Sequence, residues 1–235
     1  MRAVILAGGL GTRLKPYTIT LPKPLVPIGG EMPILEIVIK QLKGHGFNRL
    51  TIAVNHMANL IQAFFQDGAR WGIEIDYSIE NKPLSTIGPL TLIDDLPENF
   101  VVMNGDVLSD VHYGKLFDKH CREGNDVTVS VFQREQLIDF GVLQYSDDGR
   151  VTDFIEKPVE RFNVSMGVYC MNRKVVESLP KNELYGFDHL MRDGLKNGLR
   201  LQAVPFDGYW LDIGRPDDYA TANDDFDSIR NRLGI

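Results

Sequence analysis

A chain of 235 residues with 43% hydrophobic and 24% charged residues has the make-up of a globular protein, with room for one large α/β domain or two small ones. Its formal net charge of −7 and lack of a basic run exclude an electrostatic footprint for nucleic acid or an anionic membrane, and no apolar run reaches membrane-spanning length. Two cysteines, Cys121 and Cys170, neither at metal-ligand spacing, exclude a disulfide scaffold, and both are read as small core residues.

The chain opens on Ala3-Val4-Ile5-Leu6, the pattern of a buried strand. With no apolar leader or cleavage site, it predicts a cytoplasmic protein. Gly8-Gly9-Leu10-Gly11-Thr12-Arg13-Leu14 follows at once. Glycines just past a strand let the backbone approach a ligand and aim its N–H groups at phosphate oxygens. Arg13 and Lys23 add the positive charge a polyphosphate needs. The string is not a dinucleotide fingerprint, because Leu14 stands where the third glycine belongs, and the chain has no P-loop. An oxidoreductase reading is therefore disfavoured, and absence of NAD binding would dispose of it.

Helical spacing from Ile34 to Leu42 and from Leu60 to Phe65 alternates with strands at 50–54, 73–79 and 100–103, with Gly44, Gly46, Gly68 and Gly72 as stops. That alternation predicts a mostly parallel sheet with helices on both faces, and ligands at the strands' carboxyl ends. Asn104-Gly105-Asp106 falls at such an end. A carboxylate there suits Mg²⁺, although a lone strand-end Asp also serves as a turn or helix cap.

After residue 110 the pattern changes to strands at 127–132, 141–145, 151–155 and 166–169, with Asp147-Asp148-Gly149 as a hairpin turn. These predict antiparallel strands appended to the sheet as a lid-like wall. Helices around Phe187–Leu195 and from Pro216 onward finish the chain. Gly208-Tyr209-Trp210-Leu211-Asp212-Ile213-Gly214-Arg215 presents a second Asp in apolar surroundings, whereas Asp217 and Asp218 follow a helix-starting Pro and are read as structural. His45, His56, His112, His120 and His189 show no metal spacing and are read as structural or surface residues.

Gly8 to Thr18, closing with Pro22-Lys23-Pro24, resembles the signature of the sugar nucleotidyltransferases, G-G-x-G-T-R-L-x-P-x-T-x-x-x-P-K-P. The resemblance runs from Met1 to about Tyr219 and takes in Asn104-Gly105-Asp106, Phe140-Gly141-Val142, Glu156-Lys157-Pro158, Met166-Gly167-Val168-Tyr169 and Trp210-Leu211-Asp212-Ile213-Gly214 in family order. It implies a Rossmann-like α/β fold in one domain, 1–235, with a nucleotide half at about 1–110 and a small antiparallel sugar-binding lobe in 111–235. The implied reaction joins a nucleoside triphosphate to a sugar-1-phosphate and releases pyrophosphate. It assigns catalysis to Arg13, Lys23, Asp106, Lys157 and Asp212, with Mg²⁺ on Asp106 and Asp212. Nucleotide contacts fall on Leu6, Ala7, Gly8, Gly9, Gly11 and Thr12, then on Glu80, Thr86 and Gly88. Sugar-phosphate contacts fall on Asn104, Gly141, Glu156, Lys157, Ser165, Gly167 and Val168.

The segment Glu80 to Leu90 departs from the family's E-x-x-P-L-G-T-A-G-x-L by Ser85 for Gly and Ile87 for Ala. A carboxylate at Glu80 can accept both donors of the guanine edge, whereas uracil and thymine offer one N–H. GTP is therefore expected. Ser165, where mannose enzymes often have Asn, leaves mannose- and manno-heptose-1-phosphate open, with glucose-1-phosphate and UTP, dTTP, CTP or ATP as the alternative. A non-catalytic regulatory paralogue is the other alternative, and the intact Arg13, Lys23, Asp106, Lys157 and Asp212 speak against it. No β-helix repeat follows Tyr219, which implies a minimal catalytic unit, and edge strands leave room for a homodimer.

Overall fold

The computed structural model describes all residues from Met1 to Ile235. Its strands are β1 (Arg2–Leu6), β2 (Pro27–Ile28), β3 (Met32–Pro33), β4 (Arg49–Val54), β5 (Glu74–Ile79), β6 (Asn99–Asn104), β7 (Val107–Ser109), β8 (Val127–Leu137), β9 (Gly141–Tyr145), β10 (Val151–Glu156), β11 (Val159–Asn172), β12 (Leu201–Phe206) and β13 (Trp210–Asp212). The helices are α1 (Ile34–Gly44), α2 (Ala58–Phe65), α3 (Tyr113–Glu123), α4 (Arg173–Glu177), α5 (Phe187–Lys196) and α6 (Pro216–Leu233).

Seven strands form the central sheet in the order β12-β8-β11-β6-β1-β4-β5. β11 runs against both its neighbours, and every other pairing is parallel. Successive side chains of a strand face opposite sides, so Ala3 and Ile5 pack with Leu42, Phe65 and Leu116 of α1, α2 and α3, while Val4 joins Val102, Tyr169 and Leu190 on the other face. Each of the buried Val, Leu, Ile and Phe side chains contributes about 1.5–3 kcal/mol by leaving water. A third cluster seats Phe226 and Ile229 of α6 against Ile28, Ile37, Leu108 and Ile213.

Three sequence expectations change. Residues 127–132 and 166–169 are interior strands of the main sheet, because β11 inserts between β6 and β8; only β9 and β10 stand apart, as a two-stranded ribbon. Helix α3 is present where no helix was expected. Its start is capped by His112 Nδ1, which accepts from Lys115 N at 3.3 Å, and it ends at Gly124. Cys121 sits on the exposed side of α3, whereas Cys170 is buried as expected. The histidines are structural where they are packed: His45 stacks on His112 at 4.2 Å, and His120 is buried against Thr128 and Asn99.

Candidate active site

The parallel register of β1 and β6 sets Leu6 beside Asn104, and Gly105 N donates to Leu6 O at 2.9 Å. The chain then turns through Asp106 into β7, which pairs antiparallel with β13, placing Val107 opposite Asp212. Ile213 N donates to Asp106 O at 3.1 Å. Two aspartates more than a hundred residues apart thus meet at the carboxyl edge of the sheet. Ile213, fully buried, anchors the pair from below.

Asp106 is ion-paired through Oδ2 with Lys23, and its Oδ1 is buried without a partner. Asp212 is exposed rather than buried as its neighbours suggested, since Ile213 takes the inward place. It is still crowded enough that partial loss of water, followed by the charge of Asp106, raises its carboxyl pKa, with Lys23 and Arg13 opposing. Two hard carboxylates without a third acidic, His or Cys partner match a cation that takes its remaining ligands from water and phosphate. The orphaned Oδ1 is the observation that favours such an ion.

A cavity of about 400 Å³ opens at Gly8, Gly9, Glu80, Thr86, Asn104 and Asp106. Glu80 is buried; Leu84 N donates to its Oε2 at 3.3 Å, and a Cβ at Gly8 would lie 2.6 Å from its Oε1. Burial raises the Glu80 carboxyl above its usual pKa, partly offset by the Leu84 N–H. Ser85 lines the same cavity in the left-handed region at φ 66, a conformation that suits the glycine it replaces. Gly88 is buried, and a Cβ there would meet Glu183 O at 2.5 Å, so its close approach is to the chain itself. Ala7 is likewise buried in the core, while Leu6 borders the cavity. Gly11 takes φ 62 at the loop's end and accepts from Thr18 Oγ1 at 2.7 Å, and Thr12 lines a small neighbouring cavity with His56.

On the other side of Asp212 lies a cavity of about 610 Å³. Arg13, Arg134 and Arg215 line it over a wall of Trp210 and Phe132, whose rings pack 5.2 Å apart. Trp210 Nε1 donates to Met166 O at 3.0 Å and fixes that wall. Asp218 also lines the cavity, but its Oδ2 accepts from Gly214 N and Arg215 N and caps α6, in keeping with its structural reading. Arg134 escaped the sequence reading, and Trp210 and Arg215 stood there only as motif neighbours of Asp212, not as site residues. Arg215 was signalled only by following Asp212-Ile213-Gly214, and Arg134 only by alternation with Phe132 along a strand. A larger cavity, about 660 Å³, opens at Arg2 and Arg49, away from these groups, and both its arginines are satisfied by Asp76 and Asp95.

The sugar-side residues divide into two groups. β11 bulges between Ser165 and Tyr169, and Gly167, at φ 74, approaches Asn104 so closely that a Cβ would lie 2.7 Å from its Nδ2. Ser165 Oγ donates to Tyr169 at 3.1 Å. Val168 is fully buried and paired with Met103 of β6, so it presents no open surface to a ligand. Gly141, Glu156 and Lys157 lie on the exposed ribbon and line neither cavity. Lys157 pairs there with Asp139 at 2.7 Å, a solvent-exposed bond worth about 0–1 kcal/mol and readily exchanged.

The sequence model of the nucleotidyl transferase family matches residues 2–228. A mannose-1-phosphate guanyltransferase of Emericella nidulans is 35% identical across 94% of this chain and 63% of its own length. A UTP–glucose-1-phosphate uridylyltransferase of Synechocystis is 33% identical across 93% of this chain and 61% of its own. The chain therefore spans about three-fifths of the length of these curated relatives. The crystal structure of HddC from Yersinia pseudotuberculosis superposes with a TM-score of 0.74 at 28% identity, covering 96% of this chain and 99% of that one. The same protein, solved in complex with GMP-PN, gives a TM-score of 0.72.

Proposed function

The chain belongs to the nucleotidyl transferase family, and on that premise we propose that it joins a nucleoside triphosphate to a sugar-1-phosphate, with GTP and a mannose- or manno-heptose-1-phosphate as the pair. The observation that carries the reaction is the meeting of the glycine loop, Lys23, Asp106 and Asp212 at the carboxyl edge of the sheet, where two cavities adjoin the aspartates. The sugar phosphate is already anionic, so the site's task is alignment and charge neutralisation more than proton removal. Its oxygen attacks the α-phosphorus, and pyrophosphate leaves on the opposite side. Asn104 and the Gly167 bulge border the attacking side. Arg13 faces the charge that develops on the leaving group. Lys23, held by Asp106, approaches the triphosphate.

Asp106 and Asp212 would hold Mg²⁺, which would supply positive charge to offset that of the phosphates. Lys157 and Glu156 would reach the sugar by exchange of the Lys157–Asp139 pair for substrate.

Guanine is favoured by Glu80, whose buried carboxylate stands at the glycine loop in the cavity and can accept two base-edge donors. A relative of similar fold solved with GMP-PN and the guanyltransferase relatives support the same choice. The Synechocystis uridylyltransferase supports the second pair, UTP with glucose-1-phosphate.

The test is pyrophosphate release with each of GTP, UTP, dTTP, CTP and ATP against mannose-, manno-heptose- and glucose-1-phosphate. Release with GTP and a manno-configured sugar is expected. Release with UTP and glucose-1-phosphate keeps the reaction and overturns the base, and no release with any pair overturns the reaction.

A further inference from the structure

Strand β8 continues past the sheet-pairing of Phe132 with β12, and its alternate residues Phe132, Arg134 and Gln136 face one cavity. Across that cavity stand Arg13 of the glycine loop and Arg215, the residue before helix α6. No carboxylate or carbonyl of the protein engages any of the three guanidinium groups; Arg215 bonds Asp218 only through its backbone N–H. This is unlike Arg2 and Arg49, which are neutralised by Asp76 and Asp95. Of the two acids lining the cavity, Asp218 accepts from the backbone N–H groups of Gly214 and Arg215, and Asp212 feels the charges of Asp106, Lys23 and Arg13 without forming an ion pair with an arginine. The three arginines outnumber the two acids of the cavity and none is ion-paired, and guanidinium groups match phosphate oxygens in pairs.

Which anion follows from the layout. Asp106 borders the cavity of Gly8, Glu80 and Asn104, and Asp212 borders the arginine cavity, so the reacting phosphorus belongs at the junction of the two. In-line displacement puts attacking and leaving oxygens on opposite sides of phosphorus. The sugar-side Asn104 and Gly167 lie on the first side, which leaves the second for the departing group.

We propose that Arg134 and Arg215 complete, with Arg13, a cradle for pyrophosphate. As the sugar phosphate oxygen bonds to the α-phosphorus, the bond from that phosphorus to the bridging oxygen breaks, and pyrophosphate leaves with the electron pair into the three guanidinium groups. The cradle rests on the nucleotidyl transfer argued above.

Binding of inorganic pyrophosphate to the full chain, with Mg²⁺ present, is measured by titration calorimetry for wild type, R134Q, R215Q and, as a control for net charge, R192Q on α5. R134Q and R215Q are each expected to weaken pyrophosphate by roughly tenfold and to raise its KM in the reverse reaction. The KM for sugar-1-phosphate and the thermal midpoint should stay unmoved, and R192Q should match wild type. Wild-type pyrophosphate affinity in both variants overturns the cradle. So does a rise confined to the sugar-1-phosphate KM, or a wild type that does not bind pyrophosphate. If pyrophosphate binds through these arginines but no nucleotide and sugar phosphate react, the cradle stands and the transfer reaction falls.

Discussion

Glu80 closes over Gly8 so tightly that a single methyl at residue 8 would lie 2.6 Å from the carboxylate oxygen Oε1. The glycine loop and the base-reading segment are therefore one unit. Gly8→Ala should push Glu80 aside and change base preference as well as affinity. Glu80→Gln keeps the shape but exchanges one acceptor for a donor, and a charge-assisted hydrogen bond is worth about 1.5–3 kcal/mol. The kcat/KM for GTP should fall by at least roughly tenfold, and that for UTP should fall less, in parallel assays with one sugar phosphate. Equal losses for both nucleotides would separate Glu80 from base choice.

The ion-pair asymmetry at the aspartates predicts a conflict between stability and activity. Asp212 has its folded pKa raised above the ordinary 3.8, by partial desolvation first and Asp106 second. A raised folded pKa means stability that is complete below the unfolded value and lost as pH rises through the folded one. Asp212→Asn cannot ionise, so it should match wild type in acid and exceed it near neutrality. The gain is a few tenths of a kcal/mol, roughly, because water screens an exposed group. Denaturant melts at pH 3.5 and 7 check the crossover, and turnover should be nearly abolished.

Ser85 occupies the left-handed region at φ 66, which costs a non-glycine residue about 1–2 kcal/mol. Ser85→Gly removes that strain and loses part of the gain to the greater freedom of the unfolded chain. A net stabilisation of roughly 0.5–1 kcal/mol is expected from chemical denaturation.

Arg13 is exposed and makes no ion pair within the chain, so Arg13→Ala should leave the thermal midpoint within about 1 °C while turnover falls by roughly a hundredfold or more. Circular dichroism melts and a pyrophosphate-release assay measure the two together. Wild-type release would remove Arg13 from the mechanism.

The glycine loop, Asp106 at a strand's carboxyl end, the strand–helix alternation before residue 110 and the α6 start could all be read along the chain. Each rests on local chemistry: a backbone that must come close, a period of two or 3.6, a proline with acids behind it. The ribbon's strands were equally visible, because a short hairpin is itself local.

Long-range pairing is a different matter. β11 carries the same alternation whether it edges a lobe or splits a sheet, and only its ladders to β6 and β8 put it in the centre. The approach of Asp106 to Asp212, the exposure of Asp212 above a buried Ile213, and the convergence of Arg134 and Arg215 on Arg13 depend on ladders and packing between distant segments. Residue types and their local spacing thus decided what chemistry the chain carries. Which charges face one another, and across which cavity, was decided by tertiary pairing, since electrostatic interaction depends on distance in space and not on distance along the chain.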